Sequence, residues 1–217
     1  MVKRNLKVLA IVRKRDFYSM RFIKLLNKKV SKVSVFYSED KSKKSFKKKL
    51  KKWKGDYIFS YRSKYILGKT ILNNVKKFAI NFHPGPPEYR GIGCVNFAIL
   101  SSEKKFGVTA HIINNKIDDG KILKVKYFKI YKKQNLKKIL DTTHKHLYNL
   151  SKKVLDHVLK SEKFSKVKQK WSKKLYRLKD LEDLYNLNVS MKKYDLNKIL
   201  RATLINNYKP YLINNKK

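Results

Sequence analysis

Phe78-Ala79-Ile80-Asn81-Phe82-His83-Pro84-Gly85-Pro86-Pro87 reads as a strand that stops abruptly. The prolines fix φ and cannot donate to a ladder, so they leave the strand end as a stiff open loop. Side chains alternate across a strand, which sends Asn81 and His83 to one face and Phe82 to the other. Upstream, apolar strand patterns recur at 6–12, 33–37 and 57–60. Between them lie helical spacings at 17–26, at 41–54 (with Phe46, Leu50 and Trp53 in one stripe) and at 66–75. Strands alternating with helices imply right-handed crossovers and a parallel sheet, so the expected class is α/β.

Downstream, the pattern predicts a helix over 94–100 and strands over 107–113 and 122–130 with a polar turn at 114–120 between them. A long helix follows over 136–159, its Leu140, Leu147, Leu150, Val154 and Val158 facing the sheet. Trp171, Leu175 and Tyr176 then lead to a last helix over 196–205. No repeat or flexible linker interrupts the chain, so a domain over 1–160 is expected to carry an appendage over 161–217.

At 217 residues the chain has room for one core and one active site, and its 14 Tyr and 11 Phe supply bulk that disordered chains lack. The formal charge of +41 makes a basic nucleic-acid-binding protein the first rival reading. Its 48 Lys against 8 Arg weaken that reading, because phosphate and base recognition exploits the bidentate arginine fork. Seventeen Asn and only five Ala match an A+T-rich coding bias that deposits lysine wherever a position is solvated. Residues 78–100 carry only Glu88 and Arg90 as charges, and so resist that drift.

The early apolar run 8–12 is too short for a membrane span or a signal-peptide core, so a soluble, cytoplasmic protein without a membrane span is expected. The single cysteine, Cys94, excludes an intrachain disulfide and a Cys–Cys metal site. Arg13-Lys14-Arg15-Asp16 stands where a dinucleotide-binding glycine turn would follow the first strand, and there is no P-loop.

A second polar cluster, Ile117-Asp118-Asp119-Gly120, turns after the strand that carries His111. A carboxylate able to reach His83 would orient its imidazole and hold its positive charge. Asn, His and Asp together suit acyl transfer to an amine, which needs a proton acceptor and donors for the oxyanion. By spacing alone the structural reading is the favoured one: a hydrogen-bonding histidine at a strand end, a loop-capping asparagine and a plain turn. His144 and His146, two apart on a helix, diverge and are expected to be solvated.

The ordered run 81–91, Asn96-Phe97-Ala98-Ile99, Gly107-Val108-Thr109-Ala110-His111 and Ile117-Asp118-Asp119-Gly120-Lys121-Ile122-Leu123 resembles the formyltransferases that use 10-formyltetrahydrofolate. The resemblance implies a Rossmann-like open, mostly parallel sheet with helices on both faces. It also implies a catalytic trio of Asn81, His83 and Asp118, with Asp118 chosen over Asp119 by the Asp-x-Gly-x-Ile pattern. Residues 56–62 and 65–67 resemble the stretch that cradles the pterin, which implies folate contacts at Tyr65, Ile66 and Leu67, joined by Asn114 and Ile117.

The loop Gly85-Pro86-Pro87-Glu88-Tyr89-Arg90-Gly91 and the tail motifs at 176–181 and 199–202 look most like sugar N-formyltransferases, in particular those acting on GDP-perosamine. Substrate contacts are then implied at Ser60, Tyr61, Arg62, Pro86, Tyr89, Arg90 and Gly91. A tRNA-type enzyme would be expected to carry a larger C-terminal barrel, and the glycinamide ribonucleotide type a Ser-Leu-Leu-Pro loop. Other small amines, such as a dTDP-linked amino sugar or glycinamide ribonucleotide, are the alternative acceptors. The resemblance further implies direct formyl transfer with no metal, a packed thiol at Cys94, a homodimer and a nucleotide-sugar substrate.

Overall fold

Val8, Leu9, Ala10, Ile11 and Val12 are all fully buried, as a strand flanked on both sides and covered on both faces must be. They belong to β1 (Arg4–Val12) of a computed structural model that describes residues 3–161, 163–188, 190–205 and 210–213. The chain continues through α1 (Phe17–Lys29), β2 (Val30–Tyr37), α2 (Lys44–Lys52), β3 (Gly55–Tyr61), α3 (Lys69–Leu72) and β4 (Val75–His83). Next come β5 (Arg90–Gly91), α4 (Cys94–Leu100), β6 (Lys105–Ile112), β7 (Ile122–Lys129) and α5 (Leu136–Lys160). The last elements are β8 (Leu175–Tyr176), α6 (Leu178–Asp183), β9 (Asn186–Asn188), α7 (Lys193–Thr203) and β10 (Tyr211–Ile213).

The main sheet has the order β2-β1-β3-β4-β6-β7. Pairings among β1 to β4 are parallel, whereas β4 with β6 and β6 with β7 are antiparallel. Helices cover both faces, so the sheet is open and mostly parallel, as expected. On one face Val8, Ala10, Val12, Phe59, Ile80 and Phe82 pack under Phe22 and Leu26 of α1 and Leu147, Leu150 and Val154 of α5. On the other, Leu9, Ile11, Ile58 and Ala79 pack under Phe46 and Leu50 of α2, with Trp53, Leu67 and Ile71. Asp16 caps α1 by accepting from the Ser19 N–H at 2.8 Å, and Asn135 caps α5 by accepting from the Lys138 N–H at 2.9 Å.

Two expectations need correction. The helix expected over 66–75 is only the single turn of α3, entered from Gly68 and ended at Asn73, and Val75 already belongs to β4. Asparagine and glycine favour turns over a helix interior, and pairing with β3 draws the following residues into the sheet. His144 and His146 are half-buried, not solvated: His146 stacks on Phe128 at 4.3 Å, and His144 lies near the Tyr18 ring. The two do diverge around α5.

The chain after α5 returns to the sheet's functional edge. β8 pairs with β5, and the Ser172 N–H donates to the Pro87 carbonyl at 3.0 Å. Farther on, Ala202 of α7 is fully buried against α4, where Asn96 donates to its carbonyl at 2.6 Å. Among the described residues, no helix is long and apolar enough to cross a membrane.

Candidate active site

Asn81 and His83 leave the carboxyl end of β4 on the face opposite Phe82, which is fully buried between Phe22, Phe59 and Tyr61. Open α/β sheets form their ligand crevices at this edge. The antiparallel neighbour β6 sets His111 opposite Asn81 and Thr109 opposite His83. The loop after β6 brings Asp118 back over both.

Asp118 is the hub. Its Oδ2 lies 3.2 Å from His83 Nδ1 and accepts from the Gly91 N–H at 2.9 Å. Its Oδ1 accepts from Asn81 Nδ2 at 3.3 Å and lies 3.3 Å from His111 Nε2. The residue pays a conformational cost, since its φ of 42° is left-handed, a region Asp tolerates better than most residues. Gly120 makes the turn possible: a Cβ there would stand 1.8 Å from the Ile112 carbonyl oxygen.

The electrostatics follow from this geometry. Burial opposes the Asp118 charge, but the His83 and His111 imidazoles and the Gly91 N–H outweigh it and hold the carboxyl well below the usual range. Burial also draws the His83 pKa below its ordinary value, against the upward pull of Asp118 and of the Tyr89 carbonyl. His83 Nε2 lies 2.8 Å from that carbonyl. Each ring nitrogen therefore faces an acceptor. A neutral His83 that gains a proton can donate both ways at once, so the site stabilises the conjugate acid of a base that is neutral at pH 7.

Cys94 sits behind the ring, with Sγ 3.6 Å from His83 Nε2 and 3.2 Å from the Tyr89 carbonyl. Burial, then the nearby Asp118 charge, push its thiol pKa up, so it stays protonated and packed. Gly85 passes so close that a Cβ there would meet His83 Nε2 at 2.6 Å.

The other sequence-predicted residues divide into three groups. Ser60 is buried beside Asn81 through strand pairing, Tyr61 is wholly buried with its ring stacked on Phe22 at 4.6 Å, and Pro86 is buried against Gly107. Tyr89 is buried, and its hydroxyl donates to Glu103 at 3.0 Å. Arg62, with a φ of 54°, pairs with Asp16 at 2.5 Å. Arg90 ties three segments together: it donates to the carbonyls of Ser172 (3.0 Å) and Ile117 (2.8 Å) and pairs with Asp119 at 3.0 Å. Gly91 contributes the N–H that Asp118 receives. Leu67 is a core residue and Tyr65 packs half-buried against Phe46, whereas Ile66, Asn114 and Ile117 are exposed at the rim.

His111 and Trp171 complete the site without having been predicted as part of it. His111 Nδ1 lies 2.8 Å from the Ile112 carbonyl, and its Nε2 lies 3.1 Å from Asn81 Nδ2 and 3.3 Å from Asp118 Oδ1. The indole of Trp171 stands edge-on to both imidazoles, at 5.9 Å from His83 and 5.0 Å from His111. Only the period-two spacing from Thr109 hinted at His111, and only an isolated indole among lysines hinted at Trp171. Among the described residues, no group of three or more His, Cys, Asp or Glu side chains could hold a metal ion.

The sequence model described as Formyl transferase matches residues 7–155, which include the whole trio. The chain belongs to the formyl transferase family. The chain is 33% identical over 144 residues to the bifunctional polymyxin resistance protein ArnA of Wigglesworthia glossinidia brevipalpis, a match covering 64% of the chain and 22% of the relative. It is 36% identical over 96 residues to the methionyl-tRNA formyltransferase of Wolbachia pipientis subsp. Culex pipiens, covering 44% of the chain and 32% of that relative. The matches thus span between about a fifth and a third of these curated relatives. Among solved structures, it is similar to a 4-N formyltransferase from Francisella tularensis, with a TM-score of 0.77 and 25% identity over 96% of this chain and 93% of the other. A Helicobacter canadensis N-formyltransferase in complex with folinic acid and dTDP-3-aminofucose shares the fold, with a TM-score of 0.73 and 18% identity over 91% and 80% of the two chains.

Proposed function

We propose that this chain is an N-formyltransferase that moves a formyl group from 10-formyltetrahydrofolate to the amine of a nucleotide-linked 4-amino-4,6-dideoxy sugar, with GDP-perosamine as the leading acceptor. The observation that carries the reading is the Asp118 carboxylate joining Asn81, His83 and His111 at the carboxyl end of β4. Likeness to a 4-N formyltransferase over nearly the whole of both chains supports an acceptor amine at position 4. The proposal includes a catalytic unit over residues 1–160 with 161–217 packed on it, working as a homodimer in the cytoplasm.

Ile66 and Ile117 expose 68% and 41% of their surface, apolar area suited to a flat, largely apolar cosubstrate. Tyr65, Ile66, Leu67, Asn114 and Ile117 would hold the folate, which when bound supplies an activated formyl carbon. Arg13, Lys14 and Arg15 follow β1 at the same edge of the sheet and give it a charge suited to a sugar diphosphate.

His83, neutral at pH 7 with Nδ1 facing Asp118, would take at Nε2 the proton that the acceptor nitrogen loses as its bond to the formyl carbon forms, and would return it to the folate nitrogen as that nitrogen's bond to the formyl carbon breaks and tetrahydrofolate leaves. Asp118 and the Tyr89 carbonyl receive the two N–H groups of the resulting imidazolium. One Nδ2 hydrogen of the half-buried Asn81 amide stays on Asp118 Oδ1, and the other, now directed at His111 Nε2, is the one that would turn to the developing oxyanion.

The test is a transfer assay with 10-formyltetrahydrofolate and GDP- or dTDP-linked 4-amino sugars, with glycinamide ribonucleotide alongside. The proposal expects a nucleotide-linked 4-amino sugar to be formylated fastest. Turnover of glycinamide ribonucleotide alone would move the acceptor to a different small amine, and no transfer to any amine would end the formyltransferase reading.

A further inference from the structure

Trp171 belongs to a segment without regular secondary structure between α5 and β8, yet it is held firmly. Its Nε1–H donates to the Gly120 carbonyl at 2.7 Å. Next to it, the Ser172 N–H reaches the Pro87 carbonyl and the Ser172 carbonyl receives Arg90, each at 3.0 Å. The two loops that shape the trio, 84–91 and 113–121, are therefore the same two that anchor the indole. The ring stands nearly perpendicular to His111 (85°) and His83 (71°), and the residue is only partly buried.

Position decides which substrate it meets. β4 is flanked by β3 on one side and β6 on the other. Tyr65, Ile66 and Leu67 follow β3, whereas Trp171 contacts β4 and β6; it shares the 113–121 loop with Asn114 and Ile117 but is also tied, through Ser172, to the 84–91 loop whose Pro86, Tyr89, Arg90 and Gly91 are the implied acceptor contacts. An indole is a broad, rigid apolar surface that loses little entropy on contact. A dideoxyhexose offers a matching surface, a ring face of C–H bonds extended by the C6 methyl.

We propose that Trp171 is the acceptor-side wall of the site, its indole packing on the sugar ring and aiming the ring's amine at His83. The proposal rests on the formyl-transfer reading above and adds the residue that selects a pyranose. Remote contacts of this kind hold a nucleophile in near-attack geometry.

The experiment compares Trp171→Ala and Trp171→Phe with wild type in the transfer assay, and follows indole emission in Trp53→Phe, where Trp171 is the single tryptophan left of two. For Trp171→Ala the KM for the sugar nucleotide is expected to rise about tenfold or more while that for 10-formyltetrahydrofolate stays within about twofold, with Trp171→Phe recovering most of the loss. In Trp53→Phe, sugar nucleotide added without folate should change the emission saturably. Equal rises in both KM values, a fall in kcat alone, or flat emission would overturn the wall. The titration needs no turnover, so absent transfer with saturable emission would sink the parent reading and leave the wall standing.

Discussion

His83 Nδ1 lies 3.2 Å from Asp118 Oδ2, and that oxygen is pinned from the other side by the Gly91 N–H. The carboxylate therefore cannot follow a ring that turns away, and the imidazole has one preferred orientation. Asp118→Asn should keep the shape and lose the charge. Turnover is expected to fall by about 10²–10⁴-fold, with comparable losses for His83→Ala and Asn81→Ala and a retained far-ultraviolet spectrum. Near wild-type turnover in any two of the three would sink the assignment.

The pH profile tests the state of His83. Burial lowers its pKa below 6.5, so the neutral base is present at pH 7 and is lost only in acid. The acidic limb of kcat/KM should therefore lie below pH 6.5. Asp118 pulls that pKa upward, so the limb in Asp118→Asn should move to still lower pH. A limb above 6.5 in the wild type would contradict the neutral base.

His144 makes a separate prediction about stability. Burial, then the charge of Arg62, push its pKa down to about 4 in the folded chain, against about 6.5 unfolded. Its contribution is fully present above pH 6.5 and lost as pH falls from 6.5 to 4, because the unfolded chain then binds the extra proton. The loss is on the order of 3 kcal/mol. In denaturant titrations across that window, His144→Gln should show a flatter dependence than wild type, and parallel curves would refute the buried neutral imidazole.

Gly120→Ala tests the loop that carries Asp118. The added methyl would meet the Ile112 carbonyl, a backbone atom that cannot rotate aside. A destabilisation of about 1–3 kcal/mol is expected, accompanied by a loss of turnover resembling that of Asp118→Asn. Melting curves and the transfer assay on one preparation read both effects. Unchanged turnover would mean that the loop's close approach does not position the carboxylate.

The strand ending at His83 was legible because its alternation and the prolines after it are local signals. Asp118 was reached through a motif whose spacing distinguished it from Asp119. The short α3 was misread as a longer helix because Ile66, Leu67, Ile71 and Leu72 mimic a helical stripe, while pairing with β3 claims the residues from Val75 onward. Arg90 was assigned by resemblance to substrate, and no local pattern announces that its guanidinium joins Ile117, Asp119 and Ser172.

By itself the sequence determined the β-α alternation, the buried central strand and the face shared by Asn81 and His83, because each depends on periodicities a few residues long. Only the tertiary structure decided that β6 runs antiparallel and sets His111 against Asn81, that a left-handed turn returns Asp118 to His83, and that Trp171 packs over both imidazoles. Those contacts arise where backbones approach closely and loops cross between strands. Such approaches depend on the packing of the whole sheet, which no short window of residues encodes.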